Sequence, residues 1–306
     1  MTVWLITGTT PGIGAAMMEQ FAARGDKVIA TGRNASQRLS DKESDIFPLD
    51  LDITAPLAEI KQQTQKAIQA YDHIDVVISN TGFSVPCSIE EADEVFEKKL
   101  FHTNLFGAMN VVKAFLPHFR ERRAGTFGFI GAGPGWLSYP LLGHYGIAKA
   151  VLTLFAESLQ KQTAHLGIKV VVFEVGAFET GMDTIRTTDD EGFANLPTNP
   201  DYREVAEDAF GKFVSDVLTN RPSDTQKLPA AVWEVVKGEG MAAGKPFPIR
   251  VPLRADALAI MRQKCEEQLQ LCGEWETLAL STTEDDFKYV MSQDLIDRLS
   301  IVEMLK

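Results

Sequence analysis

Val3-Trp4-Leu5-Ile6-Thr7 is a short apolar run typical of a buried strand, and it passes directly into Thr7-Gly8-Thr9-Thr10-Pro11-Gly12-Ile13-Gly14. A helical pattern follows through Met17, Phe21 and Arg24, and Gly25 stands where helices commonly end. This strand, glycine loop and helix constrain the fold more than any other stretch of the chain. With no Cβ at Gly8, Gly12 and Gly14, a loop that also carries Thr10 and Ile13 lets the backbone approach a pyrophosphate. The amides opening the helix can then hold the anion. Context gives the glycines this meaning, because a glycine cluster alone marks any tight turn.

The alternation continues. Strands are expected at Lys27–Gly32, Ile46–Leu49, Ile74–Asn80, Thr126–Ile130, Ile168–Val175 and, on an edge because prolines flank it, Phe247–Val251. Helical patterns cover 55–71, 90–99, 100–119, a run through Leu152, Phe155 and Leu159, then 202–218, 229–236, 255–271 and 285–305. The expected fold class is therefore α/β: a Rossmann-type, doubly wound parallel sheet of about seven strands, helices on both faces, and a C-terminal helical extension. Residues 1–254 form the nucleotide-binding body, and 255–306 the extension of the same domain.

A net charge of −12 disfavours nucleic acid and anionic membrane as partners, since both need a basic surface. No apolar run approaches the ~20 residues of a membrane span. Cys87, Cys265 and Cys272 form neither a paired framework nor a ligand spacing, so they read as buried or incidental thiols of a reducing compartment. The strand at the first residues leaves no room for a leader peptide, and the expected location is cytoplasmic. His73, His102, His118 and His165 form no ligand spacing either, and no metal is expected. His144 adjoins Tyr145 but would point away from it on a helix, and receives no role.

After the strand at Thr126, a Gly/Pro-rich loop leads to Tyr145-Gly146-Ile147-Ala148-Lys149. Residues four apart share a helix face, so the phenol and the ammonium point the same way. A phenol near pKa ~10 is a poor acid or base at neutral pH, and a neighbouring ammonium is expected to pull it down.

The spacing Gly-x-x-x-Gly-x-Gly, with Tyr-x-x-x-Lys some 130 residues later, resembles the short-chain dehydrogenase/reductase family over roughly 3–180. Ser79-Asn80-Thr81-Gly82 resembles the family's Asn-Asn-Ala-Gly, which stabilises the central sheet. Asn104, in Asn-x-x-Gly-Ala, resembles its helix Asn that holds a proton-relay water. Val175-Gly176 with Thr180 resembles Pro-Gly-x-x-x-Thr, whose Thr contacts the nicotinamide side of the cofactor; the Pro is lost. Asp52 matches the position that meets the adenine. The C-terminal part, with Pro252-Leu253-Arg254-Ala255-Asp256, is similar to longer members common in fungi, retinol- or hydroxysteroid-dehydrogenase-like or of secondary metabolism. The resemblance implies a nicotinamide cofactor, a small-molecule substrate, and a homodimer or homotetramer paired through the helices bearing Asn104 and Tyr145.

Arg33, just past the second strand, selects NADP(H). An acid there would bind a ribose hydroxyl and repel a 2′-phosphate, whereas a guanidinium attracts it; Arg38 could assist. The family's carbonyl-polarising Ser falls thirteen residues before the Tyr, which here is Ala132. Ser138 would need a rearranged loop to replace it. Two readings stay open: an NADP(H)-dependent oxidoreductase interconverting ketone and secondary alcohol with a depleted site, or a fold repurposed for non-redox cyclisation, isomerisation or binding. Phe83, Val85, Trp136, Tyr139, Leu141, Leu142 and Phe178 fall on loops at strand ends and suggest a medium-sized, mostly apolar substrate. Segment 177–200, within a wider substrate-covering region 177–226, is long for a loop and reads as a lid.

Overall fold

The computed structural model describes residues 1–10, 12–39, 45–178, 199–205, 207, 211–213, 226–282 and 291–300. Seven strands form one sheet in the order β3-β2-β1-β4-β5-β6-β7, every neighbouring pair parallel. They are β1 Val3–Thr7, β2 Lys27–Gly32, β3 Ile46–Asp50, β4 Val76–Ser79, β5 Gly125–Ile130, β6 Ile168–Val175 and β7 Arg250–Leu253. The helices are α1 Gly12–Ala23, α2 Ala35–Arg38, α3 Leu57–Tyr71, α4 Glu94–Phe101, α5 Ala108–Arg122, α6 Gly143–Thr163, α7 Gly211–Phe213, α8 Lys227–Lys237, α9 Ala255–Ser281 and α10 Gln293–Leu299. This is the expected doubly wound sheet, with its order reversing between β1 and β4.

Strands buried on both faces read as continuous apolar runs, and the pleat sends alternate residues to opposite layers. Val3 and Leu5 pack beneath the helices around α5 and α6, while Trp4 and Ile6 pack with Met17, Phe21 and Val232 on the α1 and α8 side. On the α1 and α8 side lies Asp26, which is 3% exposed. Its carboxylate accepts from Thr2 N (2.8 Å), Trp4 Nε1 (3.0 Å) and Trp233 Nε1 (2.9 Å), with Lys237 Nζ at 3.9 Å. One buried acid thus joins β1, the α1–β2 turn and α8.

Three expectations shift. The last strand lies at Arg250–Leu253 rather than Phe247–Val251, because its register is set by β6: Val172 pairs with Arg250 and Val175 with Leu253. The helix expected over 100–119 is interrupted by a π-helical turn, His102–Gly107, whose extra residue re-aims the side chains within it. The helix expected over 255–271 extends to Ser281. Most of the segments 177–226 and 285–305, including the expected lid, lies outside the described residues.

Asp26→Ala is expected to lower stability by about 2–4 kcal/mol, because two indole N–H groups and a half-buried amide lose their shared acceptor together. Urea unfolding measures it; a loss below about 1 kcal/mol would show that the carboxylate does not carry the junction.

Candidate functional site

The glycine loop closes on itself where β1 ends. Gly8 and Gly12 have φ of +71° and +66°, in the left-handed region that favours glycine. A Cβ on Gly14 would stand 2.1 Å from the Gly8 carbonyl oxygen and 2.6 Å from Asn80 Nδ2, so no side chain fits there. Asn80 bridges the crevice: its Nδ2 donates to Thr7 O (2.9 Å) and Gly8 O (3.0 Å), and its backbone N to Thr7 Oγ1 (3.0 Å). Thr10 in this loop and Ile13 in the first turn of α1 lie partly buried. Across the β2 end, Arg33 is exposed and forms no ion pair with a described residue; Arg38 is exposed too. Asp52 caps the turn after β3, its Oδ1 accepting from Thr54 N (2.8 Å) and Thr54 Oγ1 (2.6 Å). With no Cβ at Gly12 and Gly14 where the helix starts, this loop is a cradle whose shape fits a dinucleotide.

Tyr145 and Lys149 do share a face of α6. Lys149 Nζ lies 5.6 Å from the Tyr145 ring centroid and donates to Ile130 O at 2.7 Å. Both are buried. Next to them Asn104, within the π-helical turn, clamps the backbone of Phe83: Phe83 N donates to its Oδ1 (2.9 Å) and its Nδ2 donates to Phe83 O (2.8 Å). Gly82 fits beneath because a Cβ there would be 2.6 Å from Asn104 Oδ1 and 3.7 Å from Lys149 Nζ. Asn104, Gly82 and Lys149 therefore come together beside Tyr145.

The electrostatic expectation is corrected. Burial pushes the Tyr145 phenol well above its ordinary range, and the charge of Glu174 acts in the same direction. Removing the phenolate from water outweighs the ammonium. Burial also lowers Lys149, to about 8, against the opposing pull of Glu174. Raised from an ordinary value already near ~10, the phenol carries its proton at physiological pH.

Sequence reasoning missed Glu174, a fully buried carboxyl on β6. Thr153 Oγ1 approaches its Oε1 at 3.3 Å, Arg250 Nη1 at 3.9 Å, and the Trp136 side chain donates to it. Gly131 leaves it room, since a Cβ there would sit 2.2 Å from Glu174 Oε2. A lone acid inside the apolar run Ile168–Val175 was the available signal. Also missed was Asp256, in the first turn of α9. Its Oδ2 accepts from Ala177 N (2.9 Å), and a Cβ on Gly176 would lie 2.0 Å from its Oδ1. The start of the extension therefore belongs to the loop that carries Val175 and Gly176. Thr180 lies outside the described residues.

Ala132 is 5% exposed and packs in one apolar cluster with Tyr145, Val85, Phe96, Leu100 and Ala148, with Phe83 against it. Ser138 is exposed, so it does not fill the emptied position. Of the expected pocket residues, Phe83 and Val85 join Tyr145, whereas Phe178 packs into the core on the other side of the sheet. Trp136 turns toward Glu174, under the Arg250 guanidinium at 4.6 Å. His144 points from α6 to α4, its Nε2 3.0 Å from Glu97 Oε1 and its Nδ1 3.8 Å from Cys87 Sγ. Burial raises that thiol to about 11, with Glu97 and Glu91 adding to it, so it stays protonated.

Residues 2–191 match the family model for the short chain dehydrogenase. Oxidoreductase BOA17 of Botryotinia fuckeliana (strain B05.10) is 28% identical over 284 residues, covering 92% of this chain and 98% of that protein. The crystal structure of a short-chain dehydrogenase from Streptomyces avermitilis superposes with a TM-score of 0.78 at 28% identity, covering 92% of this chain and 98% of the other. A short chain dehydrogenase from Burkholderia cenocepacia J2315, crystallised in complex with NADP, shares the fold at a TM-score of 0.64 and 20% identity, over 89% of this chain and 96% of its own.

The Glu174 carboxyl is held above its ordinary value, chiefly by burial. The folded state then binds more protons than the unfolded one as pH rises through the ordinary Glu range, so folding stability falls there. Glu174→Gln keeps an acceptor for Trp136 and Thr153 and removes this slope. Each pK unit removed is worth about 1.4 kcal/mol, or roughly 2–4 °C in a domain of this size. Melting temperatures of both proteins from pH 4 to 8 test this; a constant difference across that range contradicts a titrating carboxyl.

Proposed function

The chain belongs to the short-chain dehydrogenase family, and we propose that within it the protein is an NADP(H)-dependent reductase of a ketone on a medium-sized, mostly apolar substrate of the secondary-metabolite kind. The observation that carries this reading is Tyr145 buried beside Lys149 on one face of α6, at the carboxyl ends of the strands where open α/β sheets bind ligands. Gly8, Thr10, Gly12, Ile13 and Gly14 hold the pyrophosphate, Asn80 and Gly82 keep the crevice open, and Asp52 stands at the adenine end. Arg33 takes the 2′-phosphate. Val175, Gly176 and Thr180 flank the nicotinamide. When bound, the cofactor supplies a hydride.

The chain's own residues then handle the proton. Tyr145 donates it to the developing alkoxide oxygen, and the phenolate left behind needs compensation because burial disfavours it. Lys149, fixed to Ile130 O, presents positive charge at that face as the phenolate forms. Asn104, locked on the Phe83 backbone, holds the π-helical turn against Lys149. The apolar wall of Phe83, Val85, Phe96 and Leu100 keeps water from the reacting oxygen and matches an apolar substrate. One observation favours the rival, non-redox reading: the Ala132 methyl is buried among apolar groups, in a site built without a hydroxyl.

Two expected outcomes follow from this reading. NADPH binds more tightly than NADH in a fluorescence titration, and Arg33→Asp weakens NADPH by more than about tenfold, since repulsion replaces a charge-assisted pair. Equal affinities for the two cofactors reject the assignment of Arg33.

On a panel of ketones, one NADPH is oxidised per product formed. Tyr145→Phe abolishes turnover, and Ala132→Ser raises it by up to the ~10²–10³ that one oxyanion donor supplies. Product formed without cofactor oxidation, or an inert Ala132→Ser, supports the non-redox rival.

A further inference from the structure

Helix α9 is 27 residues long, about 40 Å, yet Ala257 is its only buried residue. Its N-terminal end packs on the site, with Ile260 Cδ1 3.0 Å from where a Cβ would stand on Gly133. From Gln268 to Ser281 every residue is exposed. Helices in water draw most of their stability from burying an apolar face, and this one has such a face uncovered.

That face repeats every seven residues. Leu258, Cys265, Cys272 and Ala279 occupy one position of the repeat, and Met261, Gln268 and Trp275 the position three further on. This is the spacing of a two-helix seam. Arg262, Leu269 and Glu276 flank the seam on one side; Lys264, Leu271 and Leu278 flank it on the other. Leu269 is 73% exposed, Trp275 58% and Leu278 57%. Both seam cysteines are exposed as well.

We propose that α9 pairs with α9 of a second copy of this chain, antiparallel, about a two-fold axis near Gln270. Opposite running directions set each flank against itself. Arg262 then meets the partner's Glu276, and the symmetry makes this ion pair twice. Leu269 and Leu271 meet their own counterparts at the axis. In the seam, Trp275 lies over the partner's Cys265 and Met261 over the partner's Ala279, large against small. Gln268 faces the partner's Cys272, where a polar seam residue fixes register. A parallel pair would place Leu271 beside the partner's Glu276 and part Arg262 from its counter-charge. Charge complementarity therefore selects the second copy and its direction.

The full-length chain is tested by sedimentation equilibrium at tens of micromolar, where a dimer is expected. Leu269→Glu with Leu271→Glu sets like charges at the axis and weakens the dimer at least about tenfold. Arg262→Glu and Glu276→Arg each weaken it, and the two together restore it, because the pair is only reversed. Dinucleotide binding stays unchanged in all four proteins, which shows that they are folded. A short bis-maleimide links wild-type copies covalently through its two thioether bonds. Cys272→Ser abolishes the link, since the two Cys265 residues are offset by ten positions, about 15 Å along the axis. Cys87 is buried and does not take part. A monomeric wild type overturns the proposal. So does a dimer insensitive to the Leu269/Leu271 change, which would assign association to another face, such as the exposed Ile147, Val151 and Leu154 of α6. Cross-linking that survives Cys272→Ser, or charge reversal without rescue, overturns the antiparallel pairing.

Discussion

Asn80 stands at the point where the sheet changes direction, and its amide ties the end of β4 to the carbonyls of Thr7 and Gly8 at the end of β1. The strands on either side run outward in opposite orders, so a crevice opens there whatever the side chains are. What keeps it open is contact between backbones. Gly14 lies so close to Gly8 O that any Cβ would force α1 away from the sheet, and with it the amides that face the crevice. The same closeness recurs at Gly146, where a Cβ would stand 2.6 Å from Pro134 O. That second contact presses the loop after β5 onto the start of α6 and brings Ala132 beside Tyr145. Two missing side chains thus fix the two halves of the site.

Between these halves the governing quantity is desolvation. Tyr145, Lys149 and Glu174 are all taken out of water, and burial moves each toward its neutral form. An isolated buried charge costs several kcal/mol, so such groups survive only in each other's company. Lys149 finds the Ile130 carbonyl, and Glu174 finds Thr153, Trp136 and Arg250. Arg250 in turn bonds Glu157 of α6 through Nε at 2.9 Å, which fastens the edge strand to the helix that bears Tyr145. The polar chain from β7 to α6 holds the pair from behind, on the side away from the apolar cluster at Ala132.

The parts of this arrangement that are local were legible in the sequence. The glycine loop, the strand alternation and the four-residue spacing of Tyr145 and Lys149 each depend on residues adjacent in the chain, and the structure places them as expected. What depended on distant partners was not legible. The register of β7 is a property of β6, and Pro252 is tolerated because β7 is an edge. The phenol was misjudged because spacing reports a neighbouring charge but not the depth at which it sits. Trp136 looked like a pocket residue until Glu174, 38 positions later in the chain, gave its indole a partner. Asp256 was hidden for the same reason: nothing in its sequence context names Ala177 as the amide it would meet.

Helix α9 joins these themes, because one rigid element carries two different environments. Its N-terminal end is held by Asp256 on the Ala177 amide and by Ile260 against Gly133, so its direction is set by the loops of the site. From Gln268 onward each residue of the helix is exposed. A helix without a stop signal transmits the direction of its first turn along its whole length, here about 40 Å. In the antiparallel dimer the two globular bodies are then held at the ends of one rod, each with its Gly176 loop fixed to the base of that rod. Any shift of Asp256 against Gly176, where no Cβ intervenes, must swing the distal seam unless the helix bends. The site therefore sets where the seam points, while the contacts of the seam itself are made with the second copy.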